Sequence, residues 1–173
     1  MQTGRREMGS CTVREAAIGD IEAIVNIFNF EVAHGRSNYE TREHTLEERR
    51  AWWKQLRDRN LPVLVAEMGD RVVGFGSLSP FSPNSGYRLT VTGALYVDPD
   101  YRRDGVGRAI AEQLIIKAYE LGLHSIVVAV NSQNEASLTL LESVGFERVG
   151  IFKEIGQKHG QWLDDIGLQI NLN

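Results

Sequence analysis

The 173-residue chain has one cysteine, four prolines and no apolar run approaching the length that crosses a bilayer. Cys11 has no partner for an intramolecular disulfide, which suits a reducing cytosol. Residues 1–11 lack the apolar stretch of a secretory signal and read as a loose polar leader, with one domain expected over 12–173. The cationic excess on which nucleic-acid binding draws is missing: 19 Lys and Arg stand against 23 Asp and Glu. The densest basic stretch, 42–59, interleaves six basic with four acidic side chains at helical spacing and reads as a solvated helix face. His34, His44, His124 and His159 show no metal-ligand spacing, so no metal is expected. No Gly-x-Ser-x-Gly stands in the chain, which removes the α/β-hydrolase nucleophile. With 42% apolar residues and a net charge of −4, the chain has core enough to fold without a staple.

What is there reads as alternating strands and helices. Strands are expected over 12–16, 63–67, 71–79, 87–97, 125–130, 146–155 and 162–171. Helices are expected over 20–34, 46–59, 106–121 and 135–144. In the first helix Ile21, Ile24, Val25, Phe28 and Val32 share one face. Thr45 with Glu48, and Ser132 with Glu135, have capping-box spacing. Gly69-Asp70 makes a tight turn, so its flanking strands form an antiparallel hairpin. The last two strands join through 156–160. The result is a mixed α/β sheet rather than a doubly wound one.

The stretch that carries chemistry is Leu95-Tyr96-Val97-Asp98-Pro99-Asp100-Tyr101-Arg102-Arg103-Asp104-Gly105-Val106-Gly107-Arg108. A strand ends, a basic turn follows, and a helix opens on two glycines. Unpaired N–H groups at a helix start suit a pyrophosphate. Gly105 and Gly107 allow close approach, and Arg102, Arg103 and Arg108 add positive charge. A Walker loop would need Gly-Lys-Ser/Thr, and Arg108-Ala109 stands there instead. A dinucleotide fingerprint would need glycine at Ile110.

The pattern Arg-x-x-Gly-x-Gly over Arg102, Gly105 and Gly107 resembles the acetyl-CoA loop of the GCN5-related N-acetyltransferase family. Asn134, Ser137 and Gly145-Phe146 stand where that family has its fourth helix and the strand after it. The loop 79–91 and the segment 150–164 resemble the phosphinothricin acetyltransferase-like branch. The resemblance implies the family's fold, a central mixed, mostly antiparallel sheet flanked by about four helices. It implies acetyl-CoA as cosubstrate, a small-molecule amine of the amino-acid-analogue class as acceptor, and a homodimer, with no nucleic acid and no membrane partner. It assigns the cosubstrate to Leu95, Tyr96 and Val97 on the long strand, to Arg102, Arg103, Asp104, Gly105, Val106, Gly107 and Arg108, and to Asn134 and Ser137 on the pantetheine arm. The amine attacks the thioester directly, with a strand N–H near 95–97 holding the oxyanion.

The chain departs from the branch where protons are handled. Thr92 stands in place of a usual Glu, and Leu141 in place of a usual His. Ser82 and Asn84 replace loop arginines, and Gln157 and Gln161 replace a Tyr and an Arg of the last hairpin. Missing arginines weaken the fit to phosphinothricin itself. Glu31, Glu40 and Tyr87 are the catalytic candidates, each with a structural alternative: helix-end carboxylate, loop charge and packed strand aromatic. Trp162 is expected to pack and Asp164 to brace a strand end. Open alternatives are a polyamine, an aminoglycoside or a protein N-terminus as acceptor, a non-catalytic acyl-CoA sensor, and a plain nucleotide-binding module.

Overall fold

A computed structural model describes residues 11–172; most of the expected leader, 1–10, lies outside them. One seven-stranded sheet has the order β1-β2-β3-β4-β5-β7-β6. The strands are β1 (Thr12–Glu15), β2 (Val63–Met68), β3 (Arg71–Pro80), β4 (Thr90–Val97), β5 (Ser125–Asn131), β6 (Glu147–Lys158) and β7 (Gln161–Asn171). The helices are α1 (Ile21–His34), α2 (Leu46–Asp58), α3 (Val106–Glu120) and α4 (Glu135–Ser143). β4 and β5 pair in parallel, and the other neighbours pair antiparallel.

Both faces of the first half of the sheet are buried, which explains the near-continuous apolar run of β2. Val63 and Val65 pack with Phe75 under α1 and α2, against Ile21, Ile24, Phe28 and Leu56. Leu64 and Ala66 point the other way, into a core with Ile110 and Leu114 of α3 and Leu138 and Leu141 of α4. Cys11 packs at the edge of this second core. The Thr45–Glu48 capping box is formed at the start of α2, an arrangement worth about 1 kcal/mol.

Several boundaries move for local reasons. Tyr87 does not open the long strand. The turn begun at Pro83 continues as a 3-10 turn over Ser85–Tyr87, with Tyr87 N–H donating to the Asn84 carbonyl, and β4 starts at Thr90. Ser132 is not the cap of α4: Asn134 is, its Oδ1 accepting from Ser137 N–H at 3.2 Å. β6 runs on to Lys158, so the last hairpin turns on His159 and Gly160 alone, both at positive φ. Trp162, expected to pack, is 60% exposed. Arg49, expected on a solvated helix face, is 5% exposed and lies 3.5 Å over the Phe28 ring.

Candidate active site

The sheet splits in its middle. β4 and β5 pair only through Thr90, Val91 and Thr92 with Ser125, Ile126 and Val127. Beyond that point β4 stays on β3 as far as Val97, while β5 stays on β7 as far as Asn131. The main chains of 93–96 and 128–131 therefore diverge, each with one side lacking a strand partner. A cleft of about 200 Å³ fills the gap. Leu95 and Tyr96, together with Asn134 and Ser137, line it, with Leu140 and Leu141 closing the α4 side. Leu141 is thus at the cleft, as apolar wall.

At the α3 end the chain makes a bed of N–H groups. The first bond of the helix runs from Ala109 N–H to the Gly105 carbonyl, so the N–H groups of Val106, Gly107 and Arg108 precede it. Arg103 and Gly105 are both left-handed, at φ 70° and 79°; a side chain at Gly105 would be strained. Val106 is buried and Gly107 sits beside Leu95, Val97 and Leu140. Arg103 and Asp104 are exposed. Arg108 pairs with Glu112 at 2.8 Å. Arg102 turns back instead: it donates to the Val97 carbonyl and, at 3.2 Å, to Glu31.

The opposite end is walled by the 35–45 loop and by β6 and β7. Glu31 is 6% exposed and is held on two sides, by Arg102 and by Ser37 N–H at 2.8 Å. It joins the 35–45 loop to the turn before α3, with both carboxylate oxygens engaged. Glu40 is half exposed, 3.6 Å from His44, while its carbonyl accepts from Lys158 at 2.6 Å. Tyr87 packs against Phe81 with the rings tilted and their centroids 5.3 Å apart, both residues exposed; it is not among the cleft residues. Asp164, as expected, braces β6, accepting from Glu154 N–H at 2.7 Å.

Polar side chains bind the loop down. Lys158, 4% exposed, also donates to Asn38 Oδ1 at 3.2 Å, and burial holds its ammonium below the usual lysine range. Tyr39 donates to Asp165 Oδ1 at 2.5 Å. The Tyr39 ring lies on Gly156, where any Cβ would come within 2.6 Å of it. Asn134 Nδ2 reaches Ser37 Oγ at 3.2 Å, tying the loop to α4 across the cleft.

The comparisons agree with this geometry. The acetyltransferase (GNAT) family model matches residues 23–146. The chain belongs to this family. The acetyltransferase is 34% identical, over 95% of its length, to the L-methionine sulfoximine/L-methionine sulfone acetyltransferase of Pseudomonas paraeruginosa, 96% of which is covered. It is 33% identical to the phosphinothricin N-acetyltransferase of Alcaligenes faecalis, with 95% and 84% of the two chains covered. Among solved structures, yncA from Salmonella typhimurium with its cofactor acetyl-CoA superposes with a TM-score of 0.93 at 33% identity, over 95% of each chain. A phosphinothricin acetyltransferase from Sinorhizobium meliloti in complex with acetyl-CoA gives 0.92 at 28% identity, over 94% of this chain and 89% of that one. Family, branch and fold are those that the sequence motifs imply.

Buried polar residues that escape a reading of the sequence include Arg49, Lys158 and Asp165. Each lies in a segment whose periodicity marks it as surface or strand edge. The one available signal is composition: Asp165 is the second of two aspartates inside a β-rich stretch, the pair flanked by Leu163 and Ile166.

Proposed function

We propose that the chain transfers the acetyl group of acetyl-CoA to the primary amine of a small amino-acid-like acceptor, in a ternary complex. The split between β4 and β5 carries this reading. It is a slot leading from a helix N-terminus that suits a pyrophosphate to a chamber under a polar loop. The residues present fit acetyl-CoA. The N–H groups of Val106, Gly107 and Arg108, with Arg103, suit the phosphates. The apolar walls of Leu95 and Leu140, with Asn134 and Ser137, suit the pantetheine arm. The unpaired main chain of 93–96 offers N–H groups to the developing oxyanion. Holding two substrates in one slot supplies much of the acceleration.

The acceptor class follows the relatives, whose names specify methionine sulfoximine, methionine sulfone and phosphinothricin. Ser82 and Asn84 supply no guanidinium for a phosphinate, which favours the sulfone and sulfoximine. A homodimer is part of the proposal. Val149, Ile151, Phe152, Ile155 and Trp162 are all about half exposed or more on the β6–β7 hairpin, an apolar surface at the edge of the sheet that calls for cover.

Thiol release from acetyl-CoA across a panel of amines, with a CoA thermal shift beside it, tests the proposal. Release with methionine sulfone or sulfoximine, exceeding that with phosphinothricin, is the expected result. A CoA shift without release would favour an acyl-CoA sensor, the reading to which Thr92 and Leu141 point. Sedimentation tests the dimer: a Trp162→Glu variant should run as a monomer.

A further inference from the structure

The attacking amine arrives as an ammonium, and its proton needs a taker. Thr92 and Leu141 are not takers. Glu31 is committed to Arg102 and Ser37. Glu40 is half exposed beside His44, and Asp164 is taken up by Glu154 N–H. Asp165 is the buried carboxylate at the loop end of the cleft that has no partner of opposite charge: it is 6% exposed, and among the described residues no Lys, Arg or His forms an ion pair with it. Its ladder partner on β5 is Asn131, which lines the cleft. Strand alternation places Asp165 on the same face as Ala129 and Asn131. That face is opposite the one Ile126, Val128, Ile166 and Leu168 turn toward the α3 and α4 core. Tyr39 bridges Asp165 to the loop, two residues after Ser37, another cleft residue. Asn131 Nδ2 lies beside the phenol outside hydrogen-bond geometry and is buried with no partner.

We propose that Asp165, acting through the hydroxyl of Tyr39, is the general base that takes the proton from the acceptor ammonium. This rests on the acetyltransfer reading above. The phenol oxygen accepts the N–H of the ammonium while its own proton passes to Asp165 Oδ1, leaving a neutral amine, an intact phenol and a neutral carboxylic acid. The amine nitrogen then forms a bond to the thioester carbon, the carbon–sulfur bond breaks, and the sulfur leaves with the electron pair. The second nitrogen proton ends on the thiolate, and Asp165 returns its proton to solvent. Amide, thiol and one released proton balance the reaction.

The surroundings suit the task. Burial pushes the Asp165 carboxyl above the ordinary aspartate value, against the hydrogen bond from Tyr39, and neighbouring Asp164 adds to the rise. Burial, then the bond to Asp165, pushes the Tyr39 phenol up as well, so it stays protonated and passes a proton without keeping a charge. The other groups facing this pair are accounted for. Asp164 accepts from Glu154 N–H. Lys158 is turned to Asn38 and Glu40. Phe152, the ladder partner on β6, is apolar.

The test compares wild type, Asp165→Asn, Tyr39→Phe and Asp165→Ala with the amine that gives the fastest thiol release. The CoA thermal shift should be unchanged in all four. At pH 7 Asp165→Asn should lose about 10²–10³-fold in kcat, the range for a lost general base, with acceptor KM little altered. Wild-type kcat/KM should be flat from about pH 7 to 9. The Asn variant should instead rise about tenfold per pH unit, because it uses only amine already deprotonated in solution. Formate should restore part of the Asp165→Ala rate. A role confined to pinning the loop predicts the opposite pattern: raised acceptor KM, a flat pH profile and no rescue, and that result overturns the assignment. A wild type that shifts with CoA but releases no thiol with any amine overturns the acetyltransfer reading and the base with it.

Discussion

The two ends of the cleft are built on different principles. The α3 end is made from one continuous stretch, 95–108, and presents main-chain N–H groups, glycine conformations and flanking arginines. The opposite end is assembled from α1, the 35–45 loop, β5, β6 and β7, and presents buried side chains that pair across the chain. A site made of backbone tolerates changes around it and fails when a side chain enters. A site made of buried polar side chains fails when any one partner is lost, because the survivor stays buried without its bond. Glu31 and Arg102 are where the two ends touch.

The contrast is sharpest in binding. Gly107→Glu should abolish the CoA thermal shift, since a Cβ at 107 already meets Leu140 at 3.3 Å and a carboxylate would stand where the phosphates go. Circular dichroism should show the fold retained. A preserved CoA shift would end the assignment of the loop. Lys158→Met, at the other end, should leave CoA affinity alone and raise acceptor KM about tenfold, because the ammonium bonds to Asn38 and Glu40 that hold the loop are gone. A change in CoA affinity instead would show that the ends are not independent.

The joint predicts a smaller effect of opposite sign. Glu31→Gln should raise CoA affinity by roughly two- to fivefold, as Arg102 is released toward the phosphates, and the gain should shrink with added salt. Arg102→Ala, made alone, should weaken CoA and also lower the melting temperature, since it leaves the Glu31 carboxylate buried without its cation. A Glu31→Gln variant that binds CoA more weakly would show that Arg102 serves the loop and not the phosphates.

The smallest effect concerns Arg49. Its guanidinium is buried with Nε unpartnered, and burial brings its pKa down to about 10. A base depressed in this way costs stability below that pH, and the cost fades above it. Arg49→Met keeps the contacts with Phe28 and Trp52 and removes the buried charge. The melting temperature at pH 7 should rise by about 2–4 °C, the equivalent of about 1 kcal/mol. A fall would mean that stacking on the Phe28 ring outweighs desolvation.

The same contrast governs how much of the molecule is legible in its sequence. Hydrophobic spacing places α1, the hairpin of β2 and β3, and the long helix α3 within a few residues of where they stand. Turn chemistry misleads at Tyr87, because Asn84 and Ser85 carry the turn past Pro83 and delay the strand. Capping rules choose Ser132, because spacing cannot tell which of two nearby polar residues faces the helix start. The charged stretch 42–59 does pattern as a solvated face, yet α1 and its loop cover Arg49, and no periodicity carries that information.

Local signals therefore decided the elements, the glycine-rich helix start and the family, because each depends on residues within one turn or one strand. Tertiary structure alone decided the opposite end. Tyr39 meets Asp165 across 126 positions and Lys158 meets Asn38 across 120. A hydrogen bond between distant segments leaves no spacing to read; it exists because a split sheet, a loop and an edge hairpin bury the same few polar groups together, where each must find a partner.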